Sequence, residues 1–241
     1  MPAIWVADTC WSCTGTRRYS RTGTMVVTDT TISHSSTYNA GIEIKDAATL
    51  IMSDTTIRSC AATEDGAALS VEGASLARLT RVGISLNGSP GGASTVFVES
   101  SILQLTDSTV QSNSGTSAAI YVGEDASLTL NGTTVADNTV PESERDDMVA
   151  NVAAGISCKL GSVYADTAST LARNTPYTMV CESCNVGGGH PMLDTVSCGT
   201  CSCLYSALTV QAYSALRGAM CCGGWRWAVC VLQTLRKTFR A

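Results

Sequence analysis

Four charged residues recur at matching places in the sequence and could carry chemistry. Asp29, Asp54, Arg81 and Asp107 follow one another at intervals of 25, 27 and 26 residues, each after an apolar-x-apolar triplet and one polar residue. If these positions stack, the carboxylates offer oxygen ligands of the kind that calcium requires, and their proximity perturbs their pKa values. In the plainer interpretation, the column is structural and Arg81 offsets the repulsion between Asp54 and Asp107.

Other reactive side chains form no catalytic motif. The two histidines, His34 and His190, lie far apart in the sequence, and neither has the neighbours of a catalytic triad. The pair Gly91-Gly92 and the run of three glycines from Gly187 are turn material, because no Lys-Ser/Thr follows them as it does in a phosphate-binding loop. We therefore predict no catalytic residue, no cofactor-binding residue and no metal ligand.

Paired hydroxyl residues directly follow Asp29, Asp54, Asp107 and Gly132. A regular ladder of hydroxyls on a flat surface could face ice or a glycan, although Val82-Gly83 interrupts it. The pairs are Thr30/Thr31, Thr55/Thr56, Ser108/Thr109 and Thr133/Thr134.

The 12 cysteines leave two chemistries open. Cys181-x-x-Cys184 and Cys198-x-x-Cys201 could bind zinc tetrahedrally, but their spacing is slightly short for the usual ribbon and Cys203 is left over. Disulfides are the favoured interpretation, and they indicate an oxidising compartment. The start of the chain has no signal-peptide pattern, so we expect a fragment whose N-terminus is incomplete.

Internal periodicity shows which elements position these side chains. Five segments align without gaps and share an apolar-x-apolar start, a Ser/Thr pair, an Ile or Val, and often a final Asn. They are MVVTDTTISHS from Met25, LIMSDTTIRSC from Leu50, ARLTRVGISLN from Ala77, LQLTDSTVQSN from Leu103 and LTLNGTTVADN from Leu128.

A second apolar-x-apolar strand recurs between these segments, centred on Glu43, Ser70, Phe97, Tyr121 and Ser157. The last interval is longer because a polar stretch from Pro141 to Asp147 is inserted, which we expect to be a projecting loop. A sixth, weaker copy is expected around 163–165 and 171–174.

Each repeat has too little apolar surface to fold alone, whereas coils stacked about 4.8 Å apart would join equivalent residues into continuous columns. The pattern therefore predicts an all-β, right-handed parallel β-helix, a solenoid of about six coils with three short strands per coil. An antiparallel sandwich is the alternative, but it does not require equivalent residues every 24 to 27 positions. The predicted columns contain Leu79, Leu105 and Leu130 in one case, and Ile57, Ile84 and Val110 in another.

The Asn positions predict a ladder of side chains that bond between coils at a turn; it comprises Asn87, Asn113, Asn138 and Asn174. Cys60 occupies the same column and is expected to be structural. Cys158 occupies an inward position and is expected to be a buried thiol.

Four regions follow from this pattern. We expect a partial coil plus an excursion over 1–22, the β-helix over 23–180, a Cys-rich segment over 181–203 and a poorly defined basic tail over 204–241. The chain is expected to open inside a coil rather than with a cap, because Ile4-Trp5-Val6 looks like Ile120-Tyr121-Val122.

Composition limits the partners. A net charge of −5 argues against nucleic acid, and only the basic tail suggests contact with a membrane surface. Ser and Thr, at 28 and 31 residues, suit a β-rich and turn-rich architecture.

The repeat at Leu128 and the junction AIYVGEDASL before it resemble right-handed parallel β-helix proteins of the pectin-lyase-like superfamily, in particular the polymorphic outer-membrane-protein and adhesin-like branch. The segment 181–203 is similar to small Cys-rich repeats that follow such domains in large surface proteins. The resemblance implies a non-catalytic, extracellular or cell-surface module that binds glycans or proteins, or is structural. Some members are calcium-dependent polysaccharide lyases or hydrolases, and the resemblance would then place the site at Asp54, Arg81 and Asp107.

Overall fold

The chain folds into a parallel β-solenoid in which each coil contributes one strand to each of several sheets. In this computed structural model, the described residues are 4–7, 11–12, 17–20, 23–37, 40–63, 65–89, 94–116, 118–141, 153–182, 184–188, 192–193 and 196–200. All of the strand pairs in this part of the chain are parallel. The predicted all-β fold is confirmed.

Three sheets have eight strands each and a fourth has four. Sheet A contains β1 (Ile4–Ala7), β4 (Thr24–Thr28), β8 (Thr49–Ser53), β12 (Leu76–Thr80), β16 (Ile102–Thr106), β20 (Ser127–Asn131), β23 (Ser162–Ala165) and β26 (Asn185–Gly188). Sheet B contains β2 (Trp11–Ser12), β5 (Thr31–Ser33), β9 (Thr56–Arg58), β13 (Gly83–Ser85), β17 (Thr109–Gln111), β21 (Thr134–Ala136), β24 (Thr170–Ala172) and β27 (Met192–Leu193). Sheet C contains β3 (Arg17–Ser20), β7 (Ile42–Lys45), β11 (Leu69–Val71), β15 (Ser94–Val98), β19 (Ala118–Val122), β22 (Ala153–Lys159), β25 (Tyr177–Glu182) and β28 (Val196–Thr200). The short sheet D contains β6 (Ser36–Thr37), β10 (Ala61–Ala62), β14 (Gly88–Ser89) and β18 (Ser114–Gly115).

The strand register places equivalent repeat residues directly above one another. Leu79 pairs with Leu105, which pairs with Leu130, and all three are at most 1 % exposed. Ile57, Ile84 and Val110 form a second buried column in sheet B. The period-2 alternation of each short strand buries one face, and stacking makes that face continuous along the axis.

Left-handed backbone conformations turn the chain at the corners between sheets. After sheet A this residue is Asp29, Asp54, Arg81, Asp107 or Gly132, with φ between 47° and 56°. Asp adopts this backbone region more readily than most residues, and glycine does so without steric cost. Arginine has no such preference, yet Arg81 adopts the same backbone conformation. The charged column of the sequence is therefore a column of corner residues.

The Asn ladder lies inside the solenoid and bonds each coil to the next, as predicted. Asn113 Nδ2 donates to Asn138 Oδ1 at 3.0 Å and to the carbonyl oxygen of Ile84 at 3.0 Å. Asn87 and Asn174 continue the pattern. Cys60 begins this ladder, because its backbone N–H donates to Asn87 Oδ1 at 2.9 Å. Its expected structural role is confirmed.

The solenoid extends further than the sequence indicated. Six coils lie between Thr24 and Glu182, and in each large sheet one more strand precedes them and one more follows them. The expected excursion over 7–22 contains β2 and β3, which pair with β5 and β7. The segment after 180 also departs from the expected boundary, because β26, β27 and β28 continue the three sheets to Thr200.

The two ends of the chain and the inserted segment remain to be compared with the expectations. Ile4-Trp5-Val6 lies in a coil as expected, but β1 pairs with β4 in sheet A, whereas Ile120-Tyr121-Val122, which it looks like, lies in sheet C. The expected projecting loop lies outside the described residues beyond Pro141, and so do Cys201, Cys203 and the basic tail.

A disulfide joins neighbouring coils near the C-terminal end of the described chain. Cys158 in β22 bonds to Cys184, with 6.1 Å between their Cα atoms. The expectation of an unpaired thiol at Cys158 is therefore wrong, although the residue is buried as predicted. Of the two cysteines in the Cys181-x-x-Cys184 motif, Cys184 is therefore in a disulfide, whereas Cys181 is a buried free thiol.

Candidate functional site

The charged column is assembled as the repeat predicted, and Arg81 forms an ion pair within it. Arg81 Nε and Nη2 donate to Asp54 Oδ1 and Oδ2 at 2.6 and 2.7 Å, so both carboxylate oxygens of Asp54 are engaged. The hydrogen bonds from Arg81 hold the pKa of Asp54 below its ordinary value. The hydrogen bonds to Asp54 raise the pKa of Arg81, and the charges of Asp107 and Asp29 raise it further. All four side chains are exposed.

A second Arg–Asp pair between coils occurs at the corner that follows sheet B. Arg173 Nε and Nη2 donate to Asp137 Oδ1 and Oδ2 at 2.7 and 2.8 Å, and these bonds lower the pKa of Asp137. Each arginine lies one coil after its aspartate, at the same corner position, and all four residues have a left-handed backbone. Because the same Arg–Asp arrangement occurs at two different corners, we interpret the Asp54–Arg81 pair as a structural bond between coils. Within the described residues, no group of three or more His, Cys, Asp or Glu side chains is placed to hold a metal ion.

The hydroxyl pairs divide between the inside and the outside of the corner. The first member of each pair is at most 3 % exposed and donates to the carbonyl oxygen two residues earlier, as Thr55 does to Ser53 at 2.8 Å. The second member lies on the outer face of sheet B, where Thr170 adds a further hydroxyl and Gly83 interrupts the row. The expected double ladder is therefore a single outward row; the inner row is Thr30, Thr55, Ser108 and Thr133.

A feature that sequence reasoning missed is the outer face of sheet C, which we call the C face. It consists of the side chains that alternate with the core residues of sheet C. One row contains Glu43, Ser70, Phe97, Tyr121 and Ser157, and the second contains Lys45, Glu72, Glu99, Lys159 and Glu182.

Two aromatic rings form the centre of the C face. The rings of Phe97 and Tyr121 come from successive coils and are stacked, with centroids 5.3 Å apart and planes 3° from parallel. Both side chains are half-buried. Gly123 leaves room for the Tyr121 ring, because a Cβ there would lie 3.0 Å from Tyr121 Cε1. A parallel stack follows from the in-register strands, which place identical positions of the coil directly above each other.

Three carboxylates act on the aromatic pair through their charge. Burial raises the pKa of Tyr121, and the negative charges of Glu99, Asp65 and Glu182 raise it further. Glu99 and Glu182 are exposed, so their carboxylates remain available to a ligand. The C face therefore combines an apolar ring surface with hydrogen-bond acceptors.

Acidic and basic groups at one end of the C face are already paired. Lys45 Nζ lies 2.7 Å from Glu43 Oε1 and 3.2 Å from Glu72 Oε2. The hydrogen bond from Lys45 to Glu43 raises the pKa of the lysine. Glu43 lies between the core residues Ile42 and Ile44 and so points to the outer side of the strand, yet it is only 2 % exposed. This end of the C face is therefore not open to solvent at Glu43.

The signal for the C face was present in the sequence as two aromatic residues at the same position of successive repeats. It was missed because the triplets Val96-Phe97-Val98 and Ile120-Tyr121-Val122 were used only for their apolar flanks. Of the two histidines, His34 is exposed at a left-handed corner, and His190 lies outside the described residues.

Comparisons with known proteins agree with this architecture. A family model described as "Right handed beta helix region" matches residues 11–175, which is more than half of the chain. Comparison with curated proteins and with solved structures finds no match. Among the described residues there is no helix long and apolar enough to cross a membrane. The matched region coincides with the stacked coils, and the chain therefore belongs to the right-handed β-helix family.

Proposed function

We propose that this chain is a non-catalytic recognition module, extracellular or on a cell surface, that binds a glycan on the C face. The observation that carries the proposal is the stacked Phe97–Tyr121 pair, which is half-buried and lies within range of the negative charges of Glu99, Asp65 and Glu182. Binding sites for small ligands typically combine aromatic surface with a few placed polar groups. A sugar offers both an apolar C–H face for ring contact and hydroxyl donors for carboxylates.

Secretion is supported by the Cys158–Cys184 disulfide, because such bonds persist in oxidising compartments. A rigid face suits recognition, since the rings are held by in-register strands and do not need ordering when a ligand binds. The Asp54–Arg81 pair supports a structural role for the charged column, because Arg81 already engages both Asp54 oxygens.

The proposal is tested by screening the whole chain against neutral and acidic glycans, with and without calcium. We expect each ring to contribute about 1.4 kcal/mol to binding, which corresponds to a tenfold change in affinity. Y121A and F97A should therefore each weaken binding about tenfold or abolish it. The matched control is Y164A, since Tyr164 is an outward aromatic on sheet A, 47 % exposed and outside the C face.

The same screen separates the enzymatic alternative. Calcium-dependent cleavage of a polysaccharide that is lost in R81A would assign the activity to the charged column and contradict a non-catalytic module. Binding that Y164A and Y121A reduce equally would contradict the assignment of the ligand to the C face.

A further inference from the structure

We propose that Asn131 is an N-glycosylation site. Asn131-Gly132-Thr133 matches the N-x-Ser/Thr acceptor pattern, with glycine at the middle position. This inference uses the proposed secretion of the chain, and it is independent of what the C face binds. It concerns sheet A, on a different side of the coil.

The acceptor side chain lies where the folded solenoid leaves room for a glycan. Asn131 is the last residue of β20 and alternates with the core residue Leu130, so it is on the outer face of sheet A. It is half-buried, and its side-chain amide makes no hydrogen bond to any described residue. The chain then turns through Gly132, whose φ of 56° sets the corner. A glycan on Asn131 would project away from the solenoid.

A second acceptor pattern, Asn87-Gly88-Ser89, provides an internal contrast. Asn87 is only 1 % exposed, and its Nδ2 donates to the carbonyl oxygen of Ile57 at 3.1 Å and to Asn113 Oδ1 at 3.0 Å. A glycan on this nitrogen would need space inside the core and would remove bonds of the ladder. The fold is therefore compatible with a glycan at Asn131 and not with one at Asn87.

The reaction is a glycosyl transfer from a lipid-linked oligosaccharide diphosphate, supplied by the secretory pathway. The amide Nδ2 forms a bond to C1 of the first sugar, and the bond between C1 and the diphosphate oxygen breaks. The lipid diphosphate leaves with the electron pair of that bond, and the amide gives up one proton. No oxidant or reductant is required.

The repeat offers a way to move the site. Ser53 and Thr106 occupy the same outward corner position as Asn131 on other coils, and a hydroxyl residue follows two positions later in each case. S53N therefore creates an acceptor pattern at an equivalent corner. N131T removes the natural pattern while restoring the residue type found at Thr80 and Thr106 in the same column.

The test uses the full chain, secreted by a eukaryotic host behind a cleavable leader. Peptide N-glycosidase should increase its gel mobility and convert Asn131 to Asp, as read by peptide mass spectrometry. N131T should lose the mobility change, and the double variant N131T/S53N should regain it. Far-UV circular dichroism of each variant checks that the solenoid is intact.

Three results would overturn the proposal. They are an unmodified wild-type chain in the secreted fraction, a mobility change that persists in N131T, and a glycan on Asn87 in folded monomer. A double variant that is folded but unmodified would refute the argument that the outward corner decides which acceptor carries a glycan.

Discussion

The Asn ladder gives the sharpest test of how the coils are held together, and N113A is the perturbation. Asn113 has four side-chain hydrogen bonds: its Nδ2 donates to Asn138 Oδ1 and Ile84 O, and its Oδ1 accepts from Asn87 N and Nδ2. The residue is 2 % exposed, so water cannot replace these partners. At about 1 kcal/mol for each buried bond, N113A should lower the free energy of unfolding by about 4 kcal/mol.

Urea unfolding followed by far-UV circular dichroism measures this loss. The matched control is Q111A, because Gln111 lies on the same coil but is exposed, and its removal should cost no more than about 0.5 kcal/mol. Hydrogen exchange adds a local measure: the amide N–H of Asn87, which donates to Asn113 Oδ1 at 3.1 Å, should exchange faster in N113A.

N113D separates the bonds from the volume of the side chain. The aspartate keeps the two acceptor bonds but loses both donors, and it places a charge beside Asn138 Oδ1 and Ile84 O. Burial and these oxygens raise the pKa of the new carboxyl, so the loss of stability should be greatest at neutral pH and should shrink as the pH falls through that pKa. An N113A variant within about 1 kcal/mol of Q111A would refute the reasoning.

Three further predictions concern other bonds between coils. C60N should extend the ladder by one residue and raise the free energy of unfolding by about 1 kcal/mol, measured by urea unfolding, because a new amide can donate to Asn87 Oδ1; a loss of stability would contradict it. Reduction of Cys158–Cys184, which are 26 residues apart, should cost about 3.5 kcal/mol by loop entropy, and unfolding with and without reductant measures this; an unchanged midpoint would be the contrary result. R81A should return the pKa of Asp54 towards its ordinary value of 3.8, as followed by NMR titration. The stabilisation from this pair should be present above pH 3.8 and disappear as the pH falls through the lower pKa of the folded state; an unshifted Asp54 titration would show that Arg81 is not the cause.

The core and the corners could be predicted from the sequence because the repeat constrains them. Each coil rises by the spacing of one parallel strand, so equivalent residues must stack directly above one another. The buried column of Leu79, Leu105 and Leu130 is the result. The Asn column follows for the same reason, since identical amides at identical positions can bond only along the axis.

The extent of the solenoid was harder to predict, because the ends of the chain lack the repeat pattern. β2 and β28 carry little of the apolar alternation, yet each is paired with the regular coil beside it. A neighbouring strand supplies a template of backbone donors and acceptors, so pairing needs less sequence information at the ends than in the middle.

The sequence by itself determined the coil period, the inward columns and the corner positions, because these depend on spacing along the chain. Only the tertiary structure decided that Arg81 pairs with Asp54 and that Cys158 pairs with Cys184. It also decided that Phe97 and Tyr121 meet on an acidic face. These choices depend on side-chain direction across neighbouring coils, where several partners are equally close in register and only rotamer, burial and local charge select one.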